Sequence, residues 1–228
     1  MLCSRVLKKL VKRANSRPAW AATASKREIT RSALLDASLK LISEKGIEGT
    51  SVLEITERLG ISNGGFYYYF KNKEQLLEVM GHTIIVALTE QIRAIDRDDP
   101  AQRIVCGTLM IMRQADDFPE RQAIMLRVLE DPAGRHTDLG EQLIEDIEWG
   151  VKIGRFAVKD AFLAMLFCRS MLAASIRLRY RGNSDKRLAA VTASQTLMCL
   201  GVSAPEASRI VERERLLLRK SDSSSRKG

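Results

Sequence analysis

The hydrophobic pattern of this chain repeats with the period of an α-helix almost without interruption from Lys26 onward. No run shows the sustained alternation of apolar and polar residues that marks a half-buried strand. The 228 residues include only 5 prolines and 14 glycines, so few residues interrupt long helices. The sequence therefore predicts an all-α fold with no sheet.

Capping and stop residues divide this pattern into separate helices. The first helix is expected at about 27–45 and ends before Gly46. Ser51 and Glu54 form a capping box that begins a short second helix, and Ser62 caps a short third helix. The remaining helices are expected at about 73–97, 101–115, 119–130, 137–153, 157–180, 184–200 and 204–219.

The distribution of charge indicates a polyanionic partner. The formal net charge is +9, and residues 1–80 hold 14 Lys and Arg residues against 8 Asp and Glu residues. This asymmetry is typical of a chain that contacts nucleic acid at one end. The four cysteines and two histidines are too scattered to predict a metal site, and we expect no cofactor. Separated cysteines favour free thiols in the bacterial cytosol, and no uninterrupted apolar run predicts a membrane span.

The two ends of the chain differ from the rest. Residues 1–25 are basic and lack the apolar run of a secretory signal. A disordered arm is the favoured interpretation, and an arm on DNA phosphates or a helix on a membrane surface are alternatives. Residues 220–228 are rich in serine and charge, and we expect a disordered tail.

The segment 62–70 has the most unusual composition in the chain, and reads Ser62-Asn63-Gly64-Gly65-Phe66-Tyr67-Tyr68-Tyr69-Phe70. With the preceding helix and the turn at Gly60 it forms a helix-turn-helix pattern, in which the second helix enters the major groove. Each helical glycine costs about 1 kcal/mol relative to alanine, a cost that close approach to a DNA backbone would explain. Phe66 and Phe70 share a face and are expected in the core. The three tyrosines would then spread over the other sides and donate to phosphates, although one or two rings could instead pack on adjacent helices.

Lys73 is placed in the first turn of a helix, where a positive charge opposes the helix dipole. A DNA phosphate held between Lys73 and the free N–H groups of this helix start would reverse that effect. We favour this interpretation over an ordinary solvated lysine.

Residues 26–80 resemble the DNA-binding domain of the tetracycline-repressor (TetR) family. The matching positions are Glu44-Lys45-Gly46, Thr50-Ser51, Ile55, Gly60-Ile61-Ser62, Gly64, Tyr67, Tyr69-Phe70, Lys73-Glu74 and Leu76. Two positions depart from the pattern of the family. Thr56 stands where the family usually has alanine and Ile42 where it often has phenylalanine, and we expect neither to touch the DNA-binding face.

The resemblance implies a three-helix helix-turn-helix DNA-binding domain over 26–80 and a helical ligand-binding and dimerisation domain over 81–219. It implies that Thr50, Tyr67, Tyr69 and Lys73 hold phosphates. Residues on the recognition helix would face bases, namely Asn63, Gly64, Gly65 and Tyr68. Ser62 begins that helix, and Arg27 and Arg31 are expected to add phosphate contacts from the first helix.

The second domain is interpreted from composition. Soft apolar side chains are plentiful and can line an irregular cavity, although at any one position such a residue is more often core. Arg113 and Arg169 interrupt apolar helices and could bind an acidic group, although salt bridges to nearby carboxylates are favoured. We expect a largely apolar small-molecule effector, and the candidate pocket residues are Met110, Arg113, Phe118, Met125, Trp149, Phe167 and Arg169.

Segments 157–180 and 184–200 combine large apolar residues with alanine and serine, which permit close helix packing. In the family that the chain resembles, the corresponding pair forms a four-helix bundle with a partner subunit, so a homodimer is expected. Two-fold symmetry then requires a palindromic operator in double-stranded DNA, with half-sites about 34–36 Å or a multiple of that apart.

The hypothesis is therefore a ligand-responsive repressor, in which a small molecule moves helix 73–97 and lowers DNA affinity. One alternative is an enzyme or carrier with a vestigial DNA-binding head. The sequence shows no nucleophile–base pair and no phosphate loop to support it, and the cluster Glu145, Asp146 and Glu148 is interpreted as a solvated helix face. The other alternative is a non-specific architectural DNA-binding protein, which a steep salt dependence without sequence preference would favour.

Overall fold

The computed structural model describes residues 25–94, 97–131 and 138–225. These residues form ten α-helices and the segments that connect them. No strand occurs within those ranges, which confirms the all-α prediction. A 3₁₀ turn, Pro119–Arg121, precedes the sixth helix. The helices are α1 (Lys26–Lys45), α2 (Val52–Leu59), α3 (Asn63–Tyr69), α4 (Lys73–Arg93), α5 (Pro100–Asp117), α6 (Gln122–Glu130), α7 (Asp138–Lys152), α8 (Ala161–Tyr180), α9 (Leu188–Cys199) and α10 (Ala204–Ser225).

Side-chain caps begin most of the N-terminal helices. Ser51 and Glu54 form the predicted capping box at the start of α2. Ser25 and Glu28 form a second capping box, so α1 begins one residue before the predicted start. At α4 the Asn72 side chain accepts a hydrogen bond of 2.8 Å from the Gln75 N–H.

The C-terminal boundaries differ from the prediction. Helix α10 continues to Ser225 and enters the segment 220–228 that was expected to be a disordered tail. No glycine or proline lies between Glu206 and Ser225, so nothing in the sequence stops the helix. Helix α4 ends at Arg93 rather than at 97. The expected basic arm falls almost entirely on residues 1–24, which lie outside the described residues.

The N-terminal helices α1–α4 enclose a small core of their own. Phe66, Phe70, Leu34, Ile55 and Leu76 are its fully buried members. The same cluster includes two residues of α6, Ala123 and Ile124. The unit formed by α1–α4, which we call the head, is therefore packed directly on α6 of the second domain.

The second domain has two further cores. One is formed by α5 and α7–α10, with Ile147, Met165 and Leu197 fully buried in it. The other is formed by α4, α5, α6 and α8 around Met112 and Ile176. Helices α5 and α8 contribute to both cores and so join the two halves of this domain.

Helix α8 is long and apolar enough to cross a membrane by length and composition alone. One of its faces supplies core residues, including Met165, Cys168, Leu172 and Ile176. A core helix of a helical protein meets the same criteria, so this feature is weak evidence for a membrane span.

Candidate DNA-binding surface and effector cavity

A tight turn sets the angle between α2 and α3. Gly60 has the left-handed backbone angles φ 65° and ψ 31°, which glycine adopts without a steric penalty. The next N–H, of Ile61, donates to the Thr56 carbonyl over 3.1 Å. The Ser62 hydroxyl then accepts from the Gly65 N–H over 3.3 Å and caps α3. These bonds hold the recognition helix α3 in a fixed orientation on the head.

The aromatic residues of α3 separate onto two faces, as predicted. Phe66 and Phe70 are buried in the head core. Tyr67 is 57% exposed and Tyr68 is 65% exposed. Tyr69 is half-buried and packs edge-on against Tyr68, with ring centroids 5.0 Å apart. Two of the three phenols therefore project into solvent, and the third packs partly against the head.

The two glycines of α3 have different surroundings. Gly64 is exposed, and a Cβ there would meet only the Ser62 hydroxyl, at 3.8 Å. A Cβ at Gly65 would point back at the Ile61 side chain, 3.6 Å away. Neither contact is too close for alanine, so packing inside the protein does not require a glycine at either position. An external surface pressed against α3 remains our explanation for Gly64.

Unpaired cations cluster beside α3. The Arg27 guanidinium lies 5.2 Å from the centre of the Tyr68 ring, and that of Arg31 lies 5.3 Å from the Phe70 ring. Neither arginine forms an ion pair within the described part of the chain. On α1 and α2, by contrast, Lys45 pairs with Glu54 and Arg58 pairs with Glu44. Arg27 thus places a positive charge beside an exposed tyrosine.

Thr50 and Lys73 have protein partners in this structure. The buried Thr50 hydroxyl donates to the Gly46 carbonyl over 2.8 Å. The Lys73 ammonium donates to the carbonyls of Ile47 and Thr50, over 3.0 and 3.1 Å. The unfavourable position of Lys73 at a helix start is therefore offset by its bonds to the turn 46–50. The phosphate roles of both residues stay predictions.

Thr56, which we expected not to touch the DNA-binding face, contacts the first residue of the recognition helix. It is buried in α2, and its Oγ1 lies 2.9 Å from Oδ1 of Asn63. Asn63 itself is exposed as the first residue of α3. A residue of the scaffold helix thus orients a candidate base-reading side chain.

A small cavity lies among α4–α9 in the second domain. Its free space is only about 50 Å³, enough for a few water molecules and well below the roughly 300–1,000 Å³ of drug-sized sites. Mostly apolar side chains line it, together with the polar residues Arg103, Thr108, Gln142, Asp146, Arg169 and Thr196. A wider groove of about 850 Å³ between α4 and α6 is lined by many charged groups, so we take the largely apolar cavity among α4–α9 as the candidate effector site.

Of the seven residues predicted for the effector pocket, Arg169 alone lines this cavity. Met125 is buried in the core around Met112, and Met110 packs at its edge. Arg113 pairs with Asp117 over 3.2 Å, and Phe118 lies under the Arg121 guanidinium. Phe167 is exposed on the outer face of α8. Trp149 is half-buried on α7. The apolar residues that do line the cavity have ordinary core spacing, so no sequence pattern distinguishes them from other core residues.

Asp146 corrects the expectation of a solvated acidic face on α7. Glu145 and Glu148 are exposed, but Asp146 is buried and accepts a hydrogen bond of 2.9 Å from Nε of Arg103. Burial raises the pKa of the Asp146 carboxyl, and the Arg103 charge opposes this effect. The error arose because adjacent helical positions turn by about 100°, so a run of acids can reach both solvent and core.

A buried helical scaffold with an exposed, tyrosine-rich second helix defines a helix-turn-helix DNA-binding protein. Comparison with known proteins identifies the family. Residues 34–80 match the bacterial regulatory proteins of the tetR family, and residues 99–213 match the tetracyclin repressor-like C-terminal domain. The chain belongs to the TetR family and is a transcriptional regulator with a helix-turn-helix DNA-binding domain, not a member of an enzyme family.

The curated relatives match over about a third of the chain. The HTH-type transcriptional regulator BetI of Burkholderia ambifaria is 41% identical over 81 residues, which cover 34% of this chain and 42% of BetI. The chain thus matches less than half the length of these relatives. BetI of Burkholderia thailandensis is 40% identical over the same length.

Solved structures match over most of the chain. The structure of RolR in complex with its ligand resorcinol has a TM-score of 0.61 and 26% identity, and the match covers 82% of this chain and 95% of RolR. The fatty acid degradation regulator FadR from Bacillus halodurans has a TM-score of 0.63 and 20% identity over 75% of this chain and 94% of FadR. The second likeness concerns the fold alone.

Proposed function

We propose that this protein is a ligand-responsive repressor that binds a palindromic operator as a homodimer in the bacterial cytosol. The exposed face of α3 is the observation that carries the DNA-binding part. Tyr67, Tyr68, Asn63 and Gly64 are all solvent-exposed there, and the unpaired Arg27 lies beside them. Such a surface can place hydroxyls and amides on base edges and phosphates.

The outer faces of α8 and α9 support the dimer. Leu163, Phe167, Val191 and Met198 are all at least 40% exposed, although they are large apolar residues. Ser170 and Ala174 lie between them on α8 and are exposed as well. Exposed apolar patches of this kind mark protein interfaces, and small residues let two copies approach closely. A second copy of the same helix pair is the partner that we propose.

The cavity among α4–α9 supports control by a small molecule. RolR, a structural relative, is known in complex with resorcinol. The cavity in this chain includes Ile92 of α4, the helix that continues directly from the head. A ligand that expands the cavity would move α4 and so change the positions of the two heads in the dimer.

Selection of binding fragments from genomic DNA, followed by fluorescence anisotropy, tests the proposal. We expect an inverted repeat with half-sites about one helical turn or a multiple of it apart, bound at least about 10³-fold more tightly than random duplex. Replacement of Tyr67 and Tyr68 by alanine should abolish this preference. Equal affinity for every duplex, with a steep salt dependence, would instead identify a non-specific architectural protein.

A further inference from the structure

The cavity holds a buried arginine that no carboxylate neutralises. Arg169 on α8 is 95% buried, at 5% exposure. Its Nη2 donates to the backbone carbonyls of Val128, Leu129 and Asp131 at the C-terminal end of α6. Among the described residues it forms no ion pair.

The second terminal nitrogen of Arg169 has no partner. Of the described residues that line the cavity, Arg169 is the only one with a buried side-chain nitrogen or oxygen atom, Nη1, that makes no hydrogen bond. Burial lowers the pKa of this guanidinium, and the charge of Asp131 only partly opposes that effect. Burying an unpaired charged donor is costly, so such a group usually meets a ligand, an ion or ordered water.

The other polar groups of the cavity are already satisfied. Asp146 binds Arg103, and Gln142 accepts from Nε of Arg93 over 3.1 Å. The hydroxyls of Thr108 and Thr196 donate to carbonyls one turn earlier in their own helices. Arg169 Nη1 is thus the buried donor that the described lining residues leave without a partner. The rest of the lining is largely apolar: Ile92, Ile104, Ile111, Leu129, Leu143 and Leu172.

We infer that the effector is a small carboxylic acid with an apolar body, whose carboxylate binds Arg169 Nη1 and whose hydrocarbon part lies among the isoleucines and leucines. This inference rests on the proposed function and specifies the chemistry of its ligand. A guanidinium suits a carboxylate because both groups are planar and oppositely charged. The free space of about 50 Å³ restricts the guest to a single ring or a short chain, and even this guest must push lining side chains apart.

Matched acids and amides test the inference on the full-chain protein without DNA. Isothermal titration at pH 7 would compare benzoate with benzamide and hexanoate with hexanamide. We expect at least one acid to bind at least tenfold more tightly than its amide, since the two differ mainly in charge. Equal binding of acid and amide, or no binding of either acid, would show that water satisfies Arg169 and that the inference is wrong.

Three variants locate the site. Arg169→Gln removes the positive charge and should weaken acid binding at least tenfold. Arg169→Lys keeps the charge and should retain part of the acid affinity. Both substitutions remove guanidinium bonds to the α6 carbonyls. If Arg169 has only a structural role, the two variants should therefore lose acid binding to the same extent. Arg177→Gln is the matched control, because Arg177 also joins α8 to α6, through Glu130, but is exposed outside the cavity.

The outcomes separate this inference from the proposed function. If acids bind selectively but no duplex is preferred, the operator-binding proposal fails and the ligand inference stands. If an operator is found but acid and amide bind equally, only the ligand inference fails. If Arg169→Gln does not fold, the comparison of acid with amide on the natural protein still tests the ligand inference.

Discussion

Thr56 and Asn63 are joined across the helix-turn-helix by a contact of 2.9 Å between Oγ1 and Oδ1. Thr56 is buried in the scaffold helix α2, and Asn63 is the exposed first residue of the recognition helix α3. The same hydroxyl lies 3.1 Å from the Val52 carbonyl and 2.9 Å from the Leu53 carbonyl, so it links the Asn63 side chain to the backbone of α2. The family usually has alanine where this chain has Thr56, so the contact is a candidate for operator specificity.

Replacing Thr56 by valine keeps the shape of the side chain and removes the hydroxyl. We expect the fold to persist, and operator affinity to fall by about 0.5–1.5 kcal/mol, the usual net value of one hydrogen bond. The loss should be concentrated at the base that Asn63 contacts. Anisotropy titrations with all four bases at each half-site position would show it. A uniform loss at every position would contradict a role in specificity.

The exposed phenols should contribute to binding through their hydroxyls. Tyr67→Phe and Tyr68→Phe are each expected to weaken operator binding by about 0.5–1.5 kcal/mol without changing the urea midpoint, because both rings are solvent-exposed. Lys152→Gln, a change at the exposed end of α7, should leave affinity nearly unchanged. Unaltered affinity in both phenylalanine variants would show that these hydroxyls do not contribute to DNA binding.

The role of Lys73 can be determined by measuring two quantities separately, the free energy of unfolding and the salt dependence of operator affinity. Lys73→Met removes two bonds to the turn 46–50 and should lower the free energy of unfolding by about 1.5–3 kcal/mol, measured by urea denaturation. If Lys73 also contacts a phosphate, the slope of log affinity against log salt should become shallower by about 0.9. A change in stability with an unchanged slope would restrict Lys73 to the structural role.

The outer face of α8 predicts how the subunits associate. Phe167→Glu places a charge in the proposed interface and should convert the dimer to a monomer in size-exclusion chromatography with light scattering. Operator affinity should then fall by about 10²–10⁴-fold, since one head alone binds a half-site. Ile153→Glu is the control, because Ile153 is equally exposed but lies at the end of α7. Dimers that persist in Phe167→Glu would place the interface elsewhere.

Acid should weaken the capping box of α2. The Lys45 ammonium and the Ser51 backbone and hydroxyl lower the pKa of Glu54 from 4.5 to about 2. A depressed folded-state pKa stabilises the fold above the unfolded value, and this stabilisation is lost as the pH falls from about 4.5 to about 2. Glu54→Gln, which can still accept from Ser51, should be less stable than the natural protein at pH 6 and equal to it near pH 2. Urea midpoints across that range would show whether the difference closes.

Local signals predicted the head well. The capping box at Ser51 and the spacing of Phe66 and Phe70 depend on neighbours within a few residues, and the structure confirms them. Net charge was a less specific signal. The surplus of six positive charges over residues 1–80 comes entirely from residues 1–24, since residues 25–80 hold eight Lys and Arg and eight Asp and Glu. The more specific signal is the position of Arg27 and Arg31 beside the aromatic rings of the segment 62–70, which only the fold shows.

The effector cavity could not be predicted because it depends on contacts between distant helices. Its lining comes from six helices, and residues such as Ile92 and Leu143 have the same spacing as ordinary core positions. We predicted Phe167 as a pocket residue from composition, but it lies on the outer face of α8 and is exposed. Arg169 was noticed as a charge within an apolar helix, and only the fold shows that carbonyls rather than carboxylates surround it.

Helix α6 belongs to two cores at once. Ala123 and Ile124 near its start complete the interior of the head, and the carbonyls at its other end are held by Arg169. A guest that draws the arginine towards itself would therefore pull on a nine-residue helix whose other end lies in the core enclosed by the head helices. A displacement of Arg169 would thus be passed along about two and a half turns of helix, with no loop between the two ends to absorb it.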